Sequence, residues 1–218
     1  MRKISVEKKF EVNPQKSERV TTVMRMFGVG IDRLKCQRTT HACEVEVNDG
    51  DIVYITGPSG AGKSVLLREM QASVGDDDKI VIEQIALPAD KSVIDCIGGN
   101  GTIDGLSILS YAGLSDVFCM LNAPANLSEG QKYRFRLACA LASGRKFIFA
   151  DEFCSNLDRI TASVIAYNVR RFAKRNNVTF FLASAHEDIL ADLQPDVLVV
   201  KRFEGEAEVT YKKLRSEK

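Results

Sequence analysis

The 218-residue sequence predicts an α/β fold: a mostly parallel sheet covered by helices, with an antiparallel β element on the N-terminal side and a small helical lobe in the middle. Strand-like and helix-like apolar runs alternate along the chain, and a glycine-rich segment joins one strand directly to one helix. The stretch 92–127 breaks instead into short apolar clusters separated by Gly and Asp, which suits small helices rather than sheet.

Residues 20–27 (VTTVMRMF) read as a strand, and 42–48 (ACEVEVN) alternate before the turn signal Asp49-Gly50, so the two predict a hairpin leading into the core. DIVYIT at 51–56 is β-rich and stops at GPSGAGKS, after which VLLREMQ has helical apolar spacing. KIVIEQ at 79–84 predicts a short strand. From Ser128, SEGQKYRFRLACALAS offers a Ser cap, an acidic first turn and apolar Phe135, Ala138, Leu141 and Ala142, the pattern of a helix of about four turns. KFIFA at 146–150 is a buried-strand pattern ending at two acids. Residues 159–175 predict a helix, VTFFLAS at 178–184 and VLVV at 197–200 two more strands, and the polar end a hairpin. With no internal repeat and no low-complexity linker, residues 1–218 read as one domain, with an approximate helical subdomain over 85–143.

Composition narrows the class. With 45% hydrophobic and 27% charged residues, 15 Gly and 5 Pro, disorder and fibrous repeats are excluded. The formal net charge of +1 supplies no global field toward nucleic acid or an anionic bilayer, yet residues 1–38 carry ten basic and four acidic side chains. That excess suits a charged edge strand, or a nucleic-acid or partner contact. No apolar run is long enough to span a membrane, and MRKISVEKKF lacks the apolar region of a secretory signal. Cys36, Cys43, Cys96, Cys119, Cys139 and Cys154 are scattered without a CxxC pair, as reduced thiols of a cytoplasmic chain would be, and two histidines leave little for a zinc cluster.

The segment Gly57-Pro58-Ser59-Gly60-Ala61-Gly62-Lys63-Ser64 satisfies GxxxxGK[ST] between a predicted strand and helix. Glycines let the backbone curl so that successive N–H groups point at phosphate oxygens, and the helix adds its positive end. Lys63 is placed to reach the β and γ phosphates and Ser64 to ligate Mg²⁺. Asp151 and Glu152, at the end of an apolar strand, then read as the metal-side carboxylate and the general base for water.

With these residues, the sequence resembles the ABC-type ATPases over roughly residues 42–200. LSEGQ at Leu127 to Gln131 resembles their signature, FIFADE at Phe147 to Glu152 their Walker B segment, SNLD at Ser155 to Asp158 their D-loop, and His186 in SAHED their switch histidine. The resemblance implies a P-loop NTPase core of ABC type in a nucleotide-dependent, head-to-tail homodimer that binds ATP and Mg²⁺. The phosphate loop of one copy would face Ser128, Gly130 and Gln131 of the other, with Asp158 at the boundary. Gln84 resembles the glutamine that touches Mg²⁺ or water, His186 would hold the γ-phosphate and the attacking water, and Phe27 is the aromatic most like the adenine-stacking one. Only 19 residues separate Ser64 from Gln84 and 42 separate Gln84 from Leu127, so the partner-engaging arm is reduced. FCSN at 153–156 replaces the usual proline-containing link, Glu129 a signature glycine, and Cys154 reads as an inert buried thiol or an oxidation-prone one.

The expected function is ATP hydrolysis driving change in a separate partner, as in a small soluble branch related to ATPases fused to acetyltransferase-like domains. The alternatives are the ATP-binding subunit of a membrane transporter, and a slow or non-hydrolysing switch that binds protein or nucleic acid. Arg170, Arg171, Lys174 and Arg175, late in one predicted helix, motivate the nucleic-acid reading, although a helix C-terminus also prefers such residues.

Overall fold

The structure is a computed structural model and describes residues 1–11, 17–30, 38–98 and 101–212. Cys36 lies outside the described residues. Strands β3 (Ile52–Thr56), β4 (Lys79–Val81), β5 (Phe147–Ala150), β6 (Thr179–Ala183), β7 (Val197–Val200) and β8 (Glu208–Tyr211) form one sheet in the order β4-β5-β6-β3-β7-β8. All neighbours are parallel except β7 and β8, whose antiparallel pairing is the expected C-terminal hairpin.

Both faces of this sheet are covered, so its strands alternate between two apolar layers rather than between core and water. Ile52, Tyr54, Ile148, Ala150, Phe180 and Leu182 face one cluster, and Val53, Ile55, Phe147, Phe149, Phe181 and Ala183 the other. The second layer is closed by Leu66, Leu67 and Met70 of α2 (Lys63–Ala72), with a two-stranded antiparallel sheet laid over them. The first is closed by the helical lobe, whose α3 (Val93–Cys96), α4 (Thr102–Tyr111) and α5 (Val117–Leu121) pack with α6 (Glu129–Ala142) and α7 (Arg159–Asn176). Val93, Leu109, Leu114 and Met120 of the lobe share that cluster with strand residues.

The N-terminal hairpin is not the one the sequence predicts. β2 (Arg38–Val47) pairs with β1 (Arg2–Glu11) in unbroken antiparallel register, from Arg2 opposite Val47 to Glu11 opposite Arg38. Ile4 and Val6 supply the buried side of β1, and its lysines pair across to β2 and to α2, Lys3 with Glu44 and Lys8 with Glu69. Residues 20–27 form not a strand but the end of helix α1 (Glu18–Met26) and the turn after it. Val20, Val23, Met24 and Phe27 stand at helical spacing behind the Ser17 cap, which outweighs the β-branched composition that suggests a strand. The strand expected over 79–84 stops at Val81, and Ile82–Gln84 form a 3₁₀ turn that re-aims the chain into the lobe. After β6, residues 184–189 form no helix, and α8 covers Leu190–Leu193.

Within the second layer Phe181 stacks on Phe149, ring centroids 4.8 Å apart, and is fully buried. Phe181→Ala is expected to lower stability by about 3–5 kcal/mol in urea unfolding, because the cavity opens between two strands that cannot collapse independently.

Candidate functional site

At the carboxyl end of β3 the chain turns through residues 57–62 into α2. Gly57, Gly60 and Gly62 have φ of 138°, 80° and 97°, a region that side chains resist. Space imposes glycine at two of them as well: a Cβ on Gly57 would overlap the Lys201 carbonyl oxygen, and one on Gly62 the His41 ring. Lys63 is buried, and its Nζ donates to the carbonyls of Gly57 and Pro58 at 2.9 and 3.0 Å, holding the ammonium inside the curl. Ala61 is buried, whereas Ser59 and Gly60 are exposed. Beneath the loop, burial and then Lys201 hold the His41 imidazole below its ordinary pKa. Lys201 is itself buried and donates to the carbonyls of Arg202 and Gly205 at 2.8 and 2.9 Å.

Strand β5 brings Asp151 beside the first turn of α2, where Ser64 Oγ donates to Asp151 Oδ1 at 3.0 Å. The Asp151 N–H donates to Glu83 Oε1 at 2.9 Å, which ties the 3₁₀ turn to the strand end, and burial raises the Glu83 pKa. Gln84, the next residue, is exposed at the end of that turn. Glu152 and Cys154 both adopt left-handed backbone, with φ of 49° and 59°, a strain of order 1–3 kcal/mol each. The turn they form is held on every side: Glu152 N–H to Asp151 Oδ1 at 3.1 Å, Phe153 N–H to the Ala183 carbonyl at 2.8 Å, and Cys154 N–H to the Tyr133 hydroxyl at 3.2 Å.

A polar chain runs from Glu152 to the switch position. Ser155 Oγ donates to Glu152 Oε2 at 2.9 Å and lies 3.4 Å from Ser184 Oγ, which accepts the His186 N–H at 3.3 Å. The His186 carbonyl accepts from the buried Tyr54 hydroxyl, whose pKa burial raises. His186 thus sits exposed in a loop pinned to β3.

A second group gathers around Ser128, which caps α6 by accepting from the Gln131 N–H while Gln131 Oε1 accepts from the Ser128 N–H at 3.0 Å. Gly130 abuts Leu157 and Asn156, and Asp158 caps α7 by accepting the Thr161 N–H at 3.0 Å. Hydrogen bonds lower the Asp158 pKa, with the Thr161 hydroxyl first. Among the described residues, no hydrogen bond or ion pair joins Ser128, Gly130, Gln131 or Asp158 to residues 57–64. Phe27 is 76% exposed and stands among Val20, Val23, Met24 and Val29 of its own segment, neither in the core nor against the loop. A phenyl ring beside the loop is that of Phe203, which lies 3.9 Å from the Cβ position of Gly60.

Relatives share this frame. The chain is 27% identical over 186 residues to the lipoprotein-releasing system ATP-binding protein LolD of Ehrlichia ruminantium, covering 67% of this chain and 79% of that protein. It is 30% identical over 162 residues to the aliphatic sulfonates import ATP-binding protein SsuB 2 of Pseudomonas fluorescens, covering 65% and 60% respectively. The dimeric post-hydrolysis structure of the ATP-binding cassette MJ0796 bound to ADP and Pi superposes with a TM-score of 0.63 at 21% identity, over 82% of this chain and 94% of that one. In sequence the chain is similar to ABC-type ATP-binding proteins, and it shares the fold of an ATP-binding cassette.

It spans 54% of the first curated relatives it matches, among them the sulfoquinovosyl glycerol transport ATP-binding protein SmoE of Agrobacterium fabrum, to which it is 25% identical over 193 residues, 76% of this chain. No protein-family model matches. The α/β architecture is the expected one, and no helix among the described residues is long and apolar enough to cross a membrane. Sequence reasoning missed Glu83, Tyr54 and Ser184, which hold backbone or hydroxyl groups around the acidic turn and carry no motif. Phe203 lies outside every motif as well. Only the turn-forming polar and glycine residues around 202–205 hinted that the chain doubles back there.

Burial pushes the Cys154 thiol up to about 12. At pH 8 roughly one molecule in ten thousand then carries the thiolate. Iodoacetamide should leave Cys154 unlabelled in the native protein and label it once urea unfolds the chain, as read by peptide mass spectrometry.

Proposed function

We propose that this chain binds Mg–ATP, hydrolyses it in a head-to-tail dimer, and uses closure and reopening of that dimer to drive a conformational change in a separate partner protein. The contact of Ser64 with Asp151 at the mouth of the phosphate loop carries the proposal. Two hard oxygen donors at that distance suit Mg²⁺, which takes few protein ligands and completes its shell with phosphates and water. Gln84 is a further candidate ligand, following Glu83 on the turn tied to Asp151. When bound, Mg²⁺ would offset charge on the phosphates.

The chain's own groups divide the remaining work. Lys63 exchanges the Gly57 and Pro58 carbonyls for phosphate oxygens, and the loop N–H groups of residues 57–64 cradle the rest. Glu152 accepts a proton from the attacking water, one of its carboxylate oxygens being held by Ser155 so that the other is presented. His186 steadies the γ-phosphate from its pinned loop. The Ser128 end of α6, a positive helix terminus, has no bond to its own phosphate loop and serves that of a second copy, with Asp158 at the boundary. The lobe over 85–143 is short, which favours a small soluble partner system. The transport ATP-binding names of the relatives favour the second reading, an ATP-binding subunit docked on a membrane protein.

Glu152→Gln should reduce phosphate release by at least about 10²-fold while retaining ATP binding. With Mg²⁺ and ATP it should elute from gel filtration at twice the protomer mass. Wild-type turnover, or a monomer at tens of micromolar, would overturn the mechanism. For adenine, Phe203→Ala should weaken ATP binding by about fivefold or more, as loss of a stacking face does. The same loss from Phe27→Ala alone would return the base to Phe27.

A further inference from the structure

Helix α7 is buried along Ala162, Ile165, Ala166, Val169 and Ala173, and its other face carries a polar stripe at the same period: Tyr167, Arg170, Arg171, Lys174 and Arg175. Together with Tyr111 from the end of α4, these side chains line an open groove of about 530 Å³. Tyr111 is set in place by its neighbours: its ring meets Phe172 edge-on at 5.9 Å, and its carbonyl accepts from Asn168 Nδ2 at 3.1 Å. Tyr167 is half exposed, with the Arg171 guanidinium over its ring at 5.7 Å.

A solvated helix end accounts for basic residues but not for this arrangement. Lys174 is the member that anchors the helix, pairing with Asp51 and Asp196 at 3.3 and 2.9 Å. Among the described residues no carboxylate pairs with Arg170, Arg171 or Arg175. Three guanidinium groups without an ion pair among the described residues therefore line one groove with two phenol rings, and Arg170 also borders the neighbouring cavity lined by Glu46, Asp51 and Asp196. Phosphates at intervals and flat π faces between them are the complement of such a surface, whereas a bilayer would ask for aliphatic side chains and the groove has none.

We infer that this groove binds single-stranded nucleic acid, its phosphates held by Arg170, Arg171 and Arg175 and its bases stacked on Tyr111 and Tyr167. The groove is remote from the phosphate loop. Asp51 and Asp196 precede β3 and β7, so the basic end of α7 lies at the amino ends of strands whose carboxyl ends carry that loop. Asp158 caps the opposite end of α7, about 27 Å away at 1.5 Å per residue. Nucleic acid and nucleotide would thus occupy opposite ends of one rigid helix.

The test is fluorescence anisotropy of labelled mixed-sequence DNA and RNA single strands of about 20 nucleotides, with the full chain and no nucleotide, between about 50 and 200 mM salt. Single strands should bind more tightly than the duplex of equal length, with a slope of log K against log salt near about −2 for three neutralised phosphates. Arg170→Gln, Arg171→Gln and Arg175→Gln combined should cost at least about tenfold and flatten that slope. Tyr167→Ala should cost about tenfold without flattening it. Circular dichroism melts verify that the variants fold, and Lys63→Ala should leave the binding intact, which separates failure here from failure of the nucleotide proposal. The inference is overturned by no anisotropy change at 10 µM protein and low salt, by equal affinity for duplex, by binding insensitive to the arginine variants, or by binding to phosphatidylserine vesicles in place of the oligonucleotides.

Discussion

The close passage of Gly57 under the Lys201 carbonyl governs the active end of this molecule. β3 and β7 are parallel neighbours, and their register brings the exit of one strand against the exit of the other, where the Lys201 N–H also donates to the Thr56 carbonyl at 2.8 Å. A loop that must leave β3 without a side chain, curl with left-handed torsions and enter a helix has few conformations left. Those limits leave its backbone little freedom, which suits the proposed phosphate-binding curl, whose N–H groups must stay convergent. Lys63 rests inside the curl on two carbonyls, and His41 and Lys201 support it from below.

From that fixed loop the remaining groups are placed by the sheet. β5 presents Asp151 to Ser64, β6 leads to Ser184, and β3 itself carries Tyr54, which grips the His186 carbonyl. The turn at residues 151–154 is strained in two backbone positions, and the strain persists because Glu83, Tyr133, Ala183 and Ser155 each hold one of its groups. Such over-determination fixes the carboxylate proposed as the base. The buried Cys154 thiol is part of that packing and too poorly ionised to act as a nucleophile.

Within one chain, the residues proposed to bind nucleotide fall into two groups, and among the described residues no hydrogen bond joins Ser128, Gly130 or Asp158 to the loop 57–64. The phosphate loop and the acidic turn form one group, and Ser128, Gly130 and Asp158 another that closes on itself through a capping box and the contact of Gly130 with Leu157. The absence of a bond between the Ser128 group and the loop suits a site completed by a second copy. Charge is distributed unevenly as well: the N-terminal excess is partly spent in pairs along β1, while the arginines late in α7 form no ion pair among the described residues.

By itself the sequence determined the groups that have a local cause. The order of strand, glycine-rich loop and helix, the Ser128 cap and the apolar strand running into Asp151 each depend on a few consecutive residues, and each stands where the pattern puts it. It misled at 20–27, where β-branched residues masked a helical period, and at 82–84, where apolar composition concealed a tight turn. Only the tertiary structure decided the partner of β2, the burial of His41 and Lys201 under the loop, the service of Glu83, Tyr54 and Ser184 to the acidic turn, and the choice of Phe203 as the ring beside Gly60. Those relations join residues many positions apart through backbone carbonyls, hydroxyls and ring edges. Such contacts leave no periodicity along the chain, since what selects them is the register of strands that meet only after folding.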